Sequence, residues 1–124
     1  MLSITNTTKA KLPRLAFSDM ADAVLGKKYE LSLAIVSAAH MKKLNKMHRN
    51  IDAATDILSF PLSKTDGEMY LCLTETKKEA PKFDRSYENF LAFLFIHGCV
   101  HLKGFDHSST MERIERQFRK KFGV

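Results

Sequence analysis

The sequence of 124 residues predicts an α+β fold of about four strands interspersed with helices, and three observations carry that expectation. Two segments, Glu30–Val36 and Glu68–Leu73, alternate apolar and polar residues with the period of two that a half-buried strand requires. Other segments repeat apolar residues every three or four positions, and the two kinds do not follow the strict strand–helix alternation of a parallel α/β sheet. From Arg85 to Lys103 the chain has no breaker but Gly98. Phe90, Leu91, Phe93, Leu94, Phe95 and Ile96 leave this helix little polar surface, as in a central buried helix.

The elements follow in order. Leu2–Thr5 reads as a short first strand. Pro13–Leu25 reads as a helix, with Leu15, Ala16, Met20, Ala23 and Val24 at helical spacing and Gly26 beyond its end. After the strand Glu30–Val36, Ser37 opens a helix with Met41, Leu44 and Met47 on one face, ending near Arg49. Ile57–Phe60 is a strand stopped by Pro61. A turn-like Ser63–Gly67 stretch leads into Glu68–Leu73, which is placed to pair with the Ile57 strand. Thr74–Ala80 is a short helix ended by Pro81. Gly104 follows the long helix where a left-handed residue is wanted, and Ser109 or Thr110 caps a last helix with Met111, Ile114 and Phe118 on one face.

At 14.1 kDa the chain has the size of one domain, residues 1–124. Hydrophobic residues at 44% exclude a mainly disordered chain, and 5 Gly with 3 Pro exclude a collagen-like one. The apolar run through Leu91–Ile96 is far short of the ~20 residues of a membrane span. The first residues lack the apolar stretch of a secretory leader. Two cysteines, Cys72 and Cys99, are too few for a disulfide scaffold and suit a reducing cytoplasm; both read as packing residues. The net charge of +6 favours polyanionic partners such as nucleic acid without requiring them. In the last fourteen residues five basic side chains face Glu112 and Glu115, which reads as a solvated helix face laced with charge pairs.

His97, His101 and His107 form the most informative pattern, H-x3-H-x5-H. On a helix, residues four apart lie on one face a turn apart, so His97 and His101 can share an ion. The helix stops at Gly104, and the chain can return His107 from another direction. Three neutral imidazoles suit Zn²⁺ and leave a fourth position for water or substrate, the arrangement of a catalytic site. The alternative is two core histidines and an unrelated surface one, yet an apolar helix is a costly place for two imidazoles without a shared partner. The spacing also matches the extended zinc-protease motif, H-E-x-x-H-x-x-G-x-x-H, but Gly98 stands where such a protease carries its general base. Asp106 reads equally as an acceptor that orients a ligand imidazole or as a turn residue. His40 and His48 have no metal spacing.

The stretch His97-Gly98-Cys99-Val100-His101-Leu102-Lys103-Gly104-Phe105-Asp106-His107 resembles the H-G-x-L-H-L-x-G-[YF]-D-H signature of the YbeY family of bacterial ribosomal-RNA maturation factors. Leu44-Asn45, Arg49 and Thr55-Asp56-Ile57-Leu58-Ser59-Phe60-Pro61 are similar to that family's L-N-x-x-[YF]-R and T-D-V-L-S-F-P. Gly67-Glu68-Met69-Tyr70-Leu71 is similar to its G-D-I-x-I strand. Three positions depart: Val100 for the usual Leu, His48 for the usual aromatic, and Glu68 for Asp.

The resemblance implies a small mixed β-sheet packed with helices, the central one carrying the histidine pair. It implies one metal ion, zinc or another divalent cation, held by His97, His101 and His107. Arg49 would be the key basic residue near it, so that Arg49 and His97 are the catalytic candidates. It also implies endonucleolytic cleavage of single-stranded RNA in 3′-end maturation of small-subunit (16S) ribosomal RNA and in ribosome quality control. The partners would be ribosomal RNA, the small ribosomal subunit and its proteins, in the cytoplasm and away from membranes. In such chemistry Arg49 would hold phosphate oxygens as negative charge builds. Glu68 and Asp56 are weaker candidates for a base, and Thr55 and Ser59 for phosphate binding. The rivals are a zinc hydrolase of another class, such as a peptidase, and a non-catalytic assembly factor with structural zinc, which would normally show four protein ligands.

Overall fold

Strand alternation in the sequence becomes the middle of a sheet in the computed structural model, which describes residues 1–105 and 108–124. Strand β2 (Glu30–Ile35) buries Leu31, Leu33 and Ile35, and β4 (Asp66–Leu71) buries Gly67, Met69 and Leu71. They run parallel, with Glu30 opposite Asp66 and Ile35 opposite Leu71. Strand β1 (Leu2–Asn6) adds in parallel to β2, and β3 (Ile57–Pro61) pairs antiparallel with β4, giving the mixed order β1-β2-β4-β3.

Period two also sorts the helices onto two faces. On one face α2 (Ala38–Arg49) packs Met41 and Leu44 with Ala34, Leu58, Phe60 and Tyr70 of the sheet. The other face, with Leu31, Leu33, Met69 and Leu71, meets α1 (Phe17–Leu25), α3 (Leu73–Glu79) and α4 (Tyr87–Leu102). Helix α5 (Ser109–Lys121) packs on α4. Ten residues of α4 are buried, including Phe90, Leu91, Phe95 and Ile96 at 0% exposure, as expected of a helix apolar on nearly every side.

Several boundaries differ from the sequence expectation, each for a local reason. Helix α1 begins at Phe17 rather than Pro13; Leu12 and Leu15 pack on the core from the irregular segment before it. Phe17 anchors the start, with its ring edge-on to Phe95 at 5.0 Å. Strand β3 ends at Pro61 as expected, with the proline as its last residue, which an edge strand tolerates despite the missing N–H. Leu73 opens α3 instead of ending β4, and Pro81 does not end the helical path. It sits in the first turn of a 3₁₀ segment, Ala80–Phe83, where an N–H is not needed. Helix α4 starts two residues late because Ser86 caps it, accepting from the Asn89 N–H at 3.1 Å. The cap of α5 is Ser108, not Ser109 or Thr110; its hydroxyl accepts from the Met111 N–H at 3.1 Å. Gly104 has φ +109° after α4, the left-handed geometry expected of it.

Gly98 sets how close α4 lies to the sheet. A Cβ there would stand 2.6 Å from Met69 Cε, 2.9 Å from Ile57 Cδ1 and 2.9 Å from Ser59 Oγ. Gly98→Ala is therefore expected to lose stability: overpacking costs about 1–3 kcal/mol, offset by ~1 kcal/mol of helix propensity. Gly98→Glu, which forces a carboxylate into the same contact, should cost more than about 3 kcal/mol. Urea unfolding midpoints of the two variants against wild type measure both.

Candidate active site

A cavity of about 420 Å³ lies where the end of α2, strand β3 and the last turns of α4 meet. Arg49, Thr55, Asp56, Ser59, His97 and His101 line it, with Ile57, Leu58 and Phe60. The structure thus brings Arg49 together with two of the three predicted histidines. His107 and Asp106 lie outside the described residues.

Local sequence explains each placement. Ser37 caps α2 by accepting from the His40 N–H at 3.1 Å. Asn50 ends the helix in the left-handed region, φ 56°, so that Arg49 is its last residue. Asn45, 2% exposed, donates from Nδ2 to the Ala53 carbonyl at 2.9 Å and ties the loop before β3 to α2. The His48 ring packs on Phe60 at 4.6 Å between centroids, an aromatic contact of the kind its position in the motif suggests. Along β3, Ile57 and Ser59 lie against Gly98 of α4, whereas Leu58 and Phe60 belong to the α2 face.

His97 is held from behind. Its Nδ1 lies 2.8 Å from Glu115 Oε1, and Glu115 is 4% exposed. Arg119, also buried, places Nη1 3.8 Å from the same carboxylate oxygen and donates from Nη2 to Glu112 at 2.8 Å. With the Nδ1 proton donated to Glu115, the ring's lone pair sits on Nε2, the nitrogen a metal would take. This corrects the reading of the last helix as a solvated charged face. Met111, Glu115 and Arg119 form its buried stripe, while Ile114 and Phe118 are half-buried; only Glu112–Arg116, at 3.6 Å, is a surface pair of the expected kind. The spacing of four from Met111 to Glu115 to Arg119 was the available signal, hidden because apolar periodicity assigns charge to solvent.

The remaining candidates separate by face. Glu68 lies on the opposite side of β4 from Met69, away from α4, and is not among the residues lining the cavity. Its carboxylate accepts from the Tyr70 hydroxyl at 2.7 Å, which with burial pushes the Tyr70 phenol up to about 12. Glu68 is therefore no base for this cavity. Asp56 does line it, and burial raises its carboxyl above the usual range, helped by the charge of Glu79 and opposed by the Ile57 N–H and His97. Cys99 is fully buried, with its thiol pushed far up by burial, and Cys72 is buried beside Thr74. His40 is exposed on the first turn of α2. Among the described residues no three metal-ligating side chains gather at one point. The imidazole pair and its carboxylate support nevertheless fit the donor chemistry of a divalent ion.

The sequence profile of the Endoribonuclease YbeY family matches residues 3–123. The chain belongs to the YbeY family. Among YbeY relatives named endoribonuclease, that of Sulfurimonas denitrificans is 31% identical over 131 aligned positions, covering 100% of this chain and 93% of the relative. That of Thermosipho melanesiensis is 33% identical, covering 81% of each. That of Aliarcobacter butzleri is 32% identical, covering 86% and 79%. The solution structure of TM1509 from Thermotoga maritima matches with a TM-score of 0.70 at 25% identity, over 98% of this chain and 89% of that one. The mixed four-stranded sheet is thus that of a YbeY fold, as the sequence predicted.

Two outcomes are expected of this YbeY site. In the metal-free protein, ¹⁵N imidazole spectra should show His97 as the Nδ1-protonated tautomer, and Glu115→Ala should return it to the Nε2-protonated form that prevails in water. An unchanged tautomer would remove Glu115 from the site. The second concerns Asp56. A carboxyl raised on folding contributes stability below its unfolded pKa and loses it as pH rises through the folded value. Asp56→Asn should therefore stabilise the metal-free protein at pH 7, with the gain shrinking as pH falls toward ~3.9; urea midpoints at pH 7 and pH 4 test the sign.

Proposed function

We propose that this YbeY chain, as one metallohydrolase domain over residues 1–124, cleaves single-stranded RNA. We propose further that it acts in 3′-end maturation of small-subunit ribosomal RNA and in ribosome quality control. Arg49 and the His97–His101 pair, distant in sequence, line one cavity at the edge of the sheet, and that observation carries the reading. In this reading His97, His101 and His107 hold one ion, zinc or another divalent cation, and the small ribosomal subunit with its proteins is the partner in the cytoplasm. The net charge of +6 favours the polyanion. Among the described residues no helix is long and apolar enough to cross a membrane.

The ion, when bound, supplies Lewis-acid polarisation of a phosphoryl oxygen and charge neutralisation. The chain's own residues do the rest. Arg49 offers a planar fork of N–H donors to phosphate oxygens and gains most as negative charge accumulates on them. Glu115 keeps the His97 ring oriented and its Nδ1 protonated. Ser59 and Thr55 are also in the cavity wall. The peptidase reading is disfavoured because Gly98, where its carboxylate would stand, is filled against Met69, Ile57 and Ser59.

The test is cleavage of a short single-stranded RNA by wild type beside identically purified His107→Ala and Arg49→Ala. His107→Ala should lose metal and activity together. Arg49→Ala should keep fold and metal while turnover falls by roughly 10²- to 10³-fold. Equal cleavage by all three would mark a contaminant; full metal occupancy in His107→Ala would overturn the ligand set; wild-type turnover by Arg49→Ala would return it to a surface role.

A further inference from the structure

Beside the Arg49–His97 cavity lies a second pocket of about 430 Å³ whose aromatic wall has no part in the proposed chemistry. The two share Asp56, Ile57 and His97, so one wall separates them. The second is aromatic: Phe83, Phe90 and Phe93 line it, with Phe83 stacked on Phe90 at 4.9 Å and Phe90 on Phe93 at 5.6 Å. Phe83 is 51% exposed and is the only exposed aromatic among the described residues. Its place is set by backbone. The 3₁₀ segment Ala80–Phe83 is closed by the Asp84 N–H on the Pro81 carbonyl at 3.1 Å and the Arg85 N–H on the Ala80 carbonyl at 3.2 Å. The Arg85 guanidinium sits over the Phe93 ring at 4.5 Å, a cation at the same cluster.

We propose that this pocket is a base-stacking subsite, in which a nucleobase next to the scissile phosphate leaves the single strand and stacks on Phe83. The proposal rests on the endoribonuclease reading of the neighbouring cavity and specifies how that site holds its substrate. A flat ring that is half exposed and rigidly presented is a poor contribution to a core but a ready platform for a base, because every base has a π-face. A wall shared with the phosphate-binding cavity puts the platform beside the backbone that Arg49 would hold. Single-stranded RNA is the ligand whose bases are available for such stacking, whereas a duplex keeps them paired. Ser108, also in the lining, has a hydroxyl that accepts from the Met111 N–H and keeps its own O–H to donate to the edge of the base.

The experiment uses a fluorescent single-stranded RNA carrying a non-cleavable linkage at the mapped cut site, with binding read by anisotropy. A series of the same RNA carries one abasic nucleotide at successive positions. Phe83→Ala should weaken binding of the intact RNA by roughly 5- to 150-fold, the value of one stacked base, and Phe83→Trp should restore it. One abasic position flanking the cut should cost wild type a similar factor and cost Phe83→Ala nothing further. Thermal unfolding of both variants checks that they fold. Unchanged binding by Phe83→Ala, or abasic penalties equal in wild type and variant, overturns the subsite while leaving the nuclease reading intact; the pocket would then be free for a protein side chain. Wild type that neither binds nor cleaves RNA overturns both.

Discussion

The seat of α4 on the sheet at Gly98 is the constraint on which the rest depends. A helix apolar on nearly every side must be covered all round, and here the sheet covers one side while α1 and α5 cover others. A side chain at Gly98 would have to displace the ends of Met69, Ile57 and Ser59 for the helix to come this close. His97 precedes that contact and His101 follows it one turn later, so the depth of the seat places both imidazoles beside the edge strand. A larger residue would lift the helix from β3 and carry the histidines away from Asp56 and Ser59, which line the same cavity. Core packing and site geometry are therefore one quantity in this molecule.

The opposite support of the site is electrostatic. Glu115 and Arg119 are buried beneath α4 at a desolvation cost that an apolar pair of similar shape would avoid. Stability alone gives little reason for them. Their geometry does: the carboxylate meets His97 Nδ1, Arg119 offsets the carboxylate's charge, and Glu112 takes the remaining reach of the guanidinium. The Phe93 ring lies under Arg119 at 5.0 Å, adding a cation–π contact where water is excluded. A ring fixed in this way keeps one nitrogen committed and the other directed, which packing by apolar groups cannot do.

Much of this was legible in the sequence where one physical signal dominates. Period two located β2 and β4 because half-buried strands must alternate. The apolar run located α4 because nothing else in the chain could be central. The helical spacing of His97 and His101 placed them together, and the motif around Arg49 placed it near them. What stayed illegible came from tertiary context. Phe17 starts its helix by anchoring on Phe95, Pro61 is allowed because β3 happens to be an edge, and Pro81 is allowed because a new helical turn begins there. The side of the sheet that Glu68 takes follows from which face α4 covers, a fact that alternation alone does not supply. Glu115 and Arg119 escaped because sequence patterns treat charge as a mark of solvent, whereas a charge buried for orientation looks the same on paper.

Gly98 also ties the fold to the class of reaction. The spacing of histidines and glycine here is that of extended zinc-protease motifs, in which a glutamate follows the first histidine and serves as the base. On a helix that glutamate must have room above its own Cα. In this chain a Cβ at that position would stand within 2.9 Å of side chains from β3 and β4, so the position that could carry a general base is taken up by packing against the sheet. In the proposed reading the substrate-binding groups come from elsewhere: Thr55 and Asp56 just before β3, Ser59 within it and Arg49 at the end of the preceding helix all line the cavity. A site whose cation comes from a neighbouring helix and whose histidine helix adds no carboxylate to the cavity wall is suited to an anionic substrate rather than to a neutral amide. In the proposed reading, the glycine that seats the helix is also the residue that leaves out the protease motif's carboxylate.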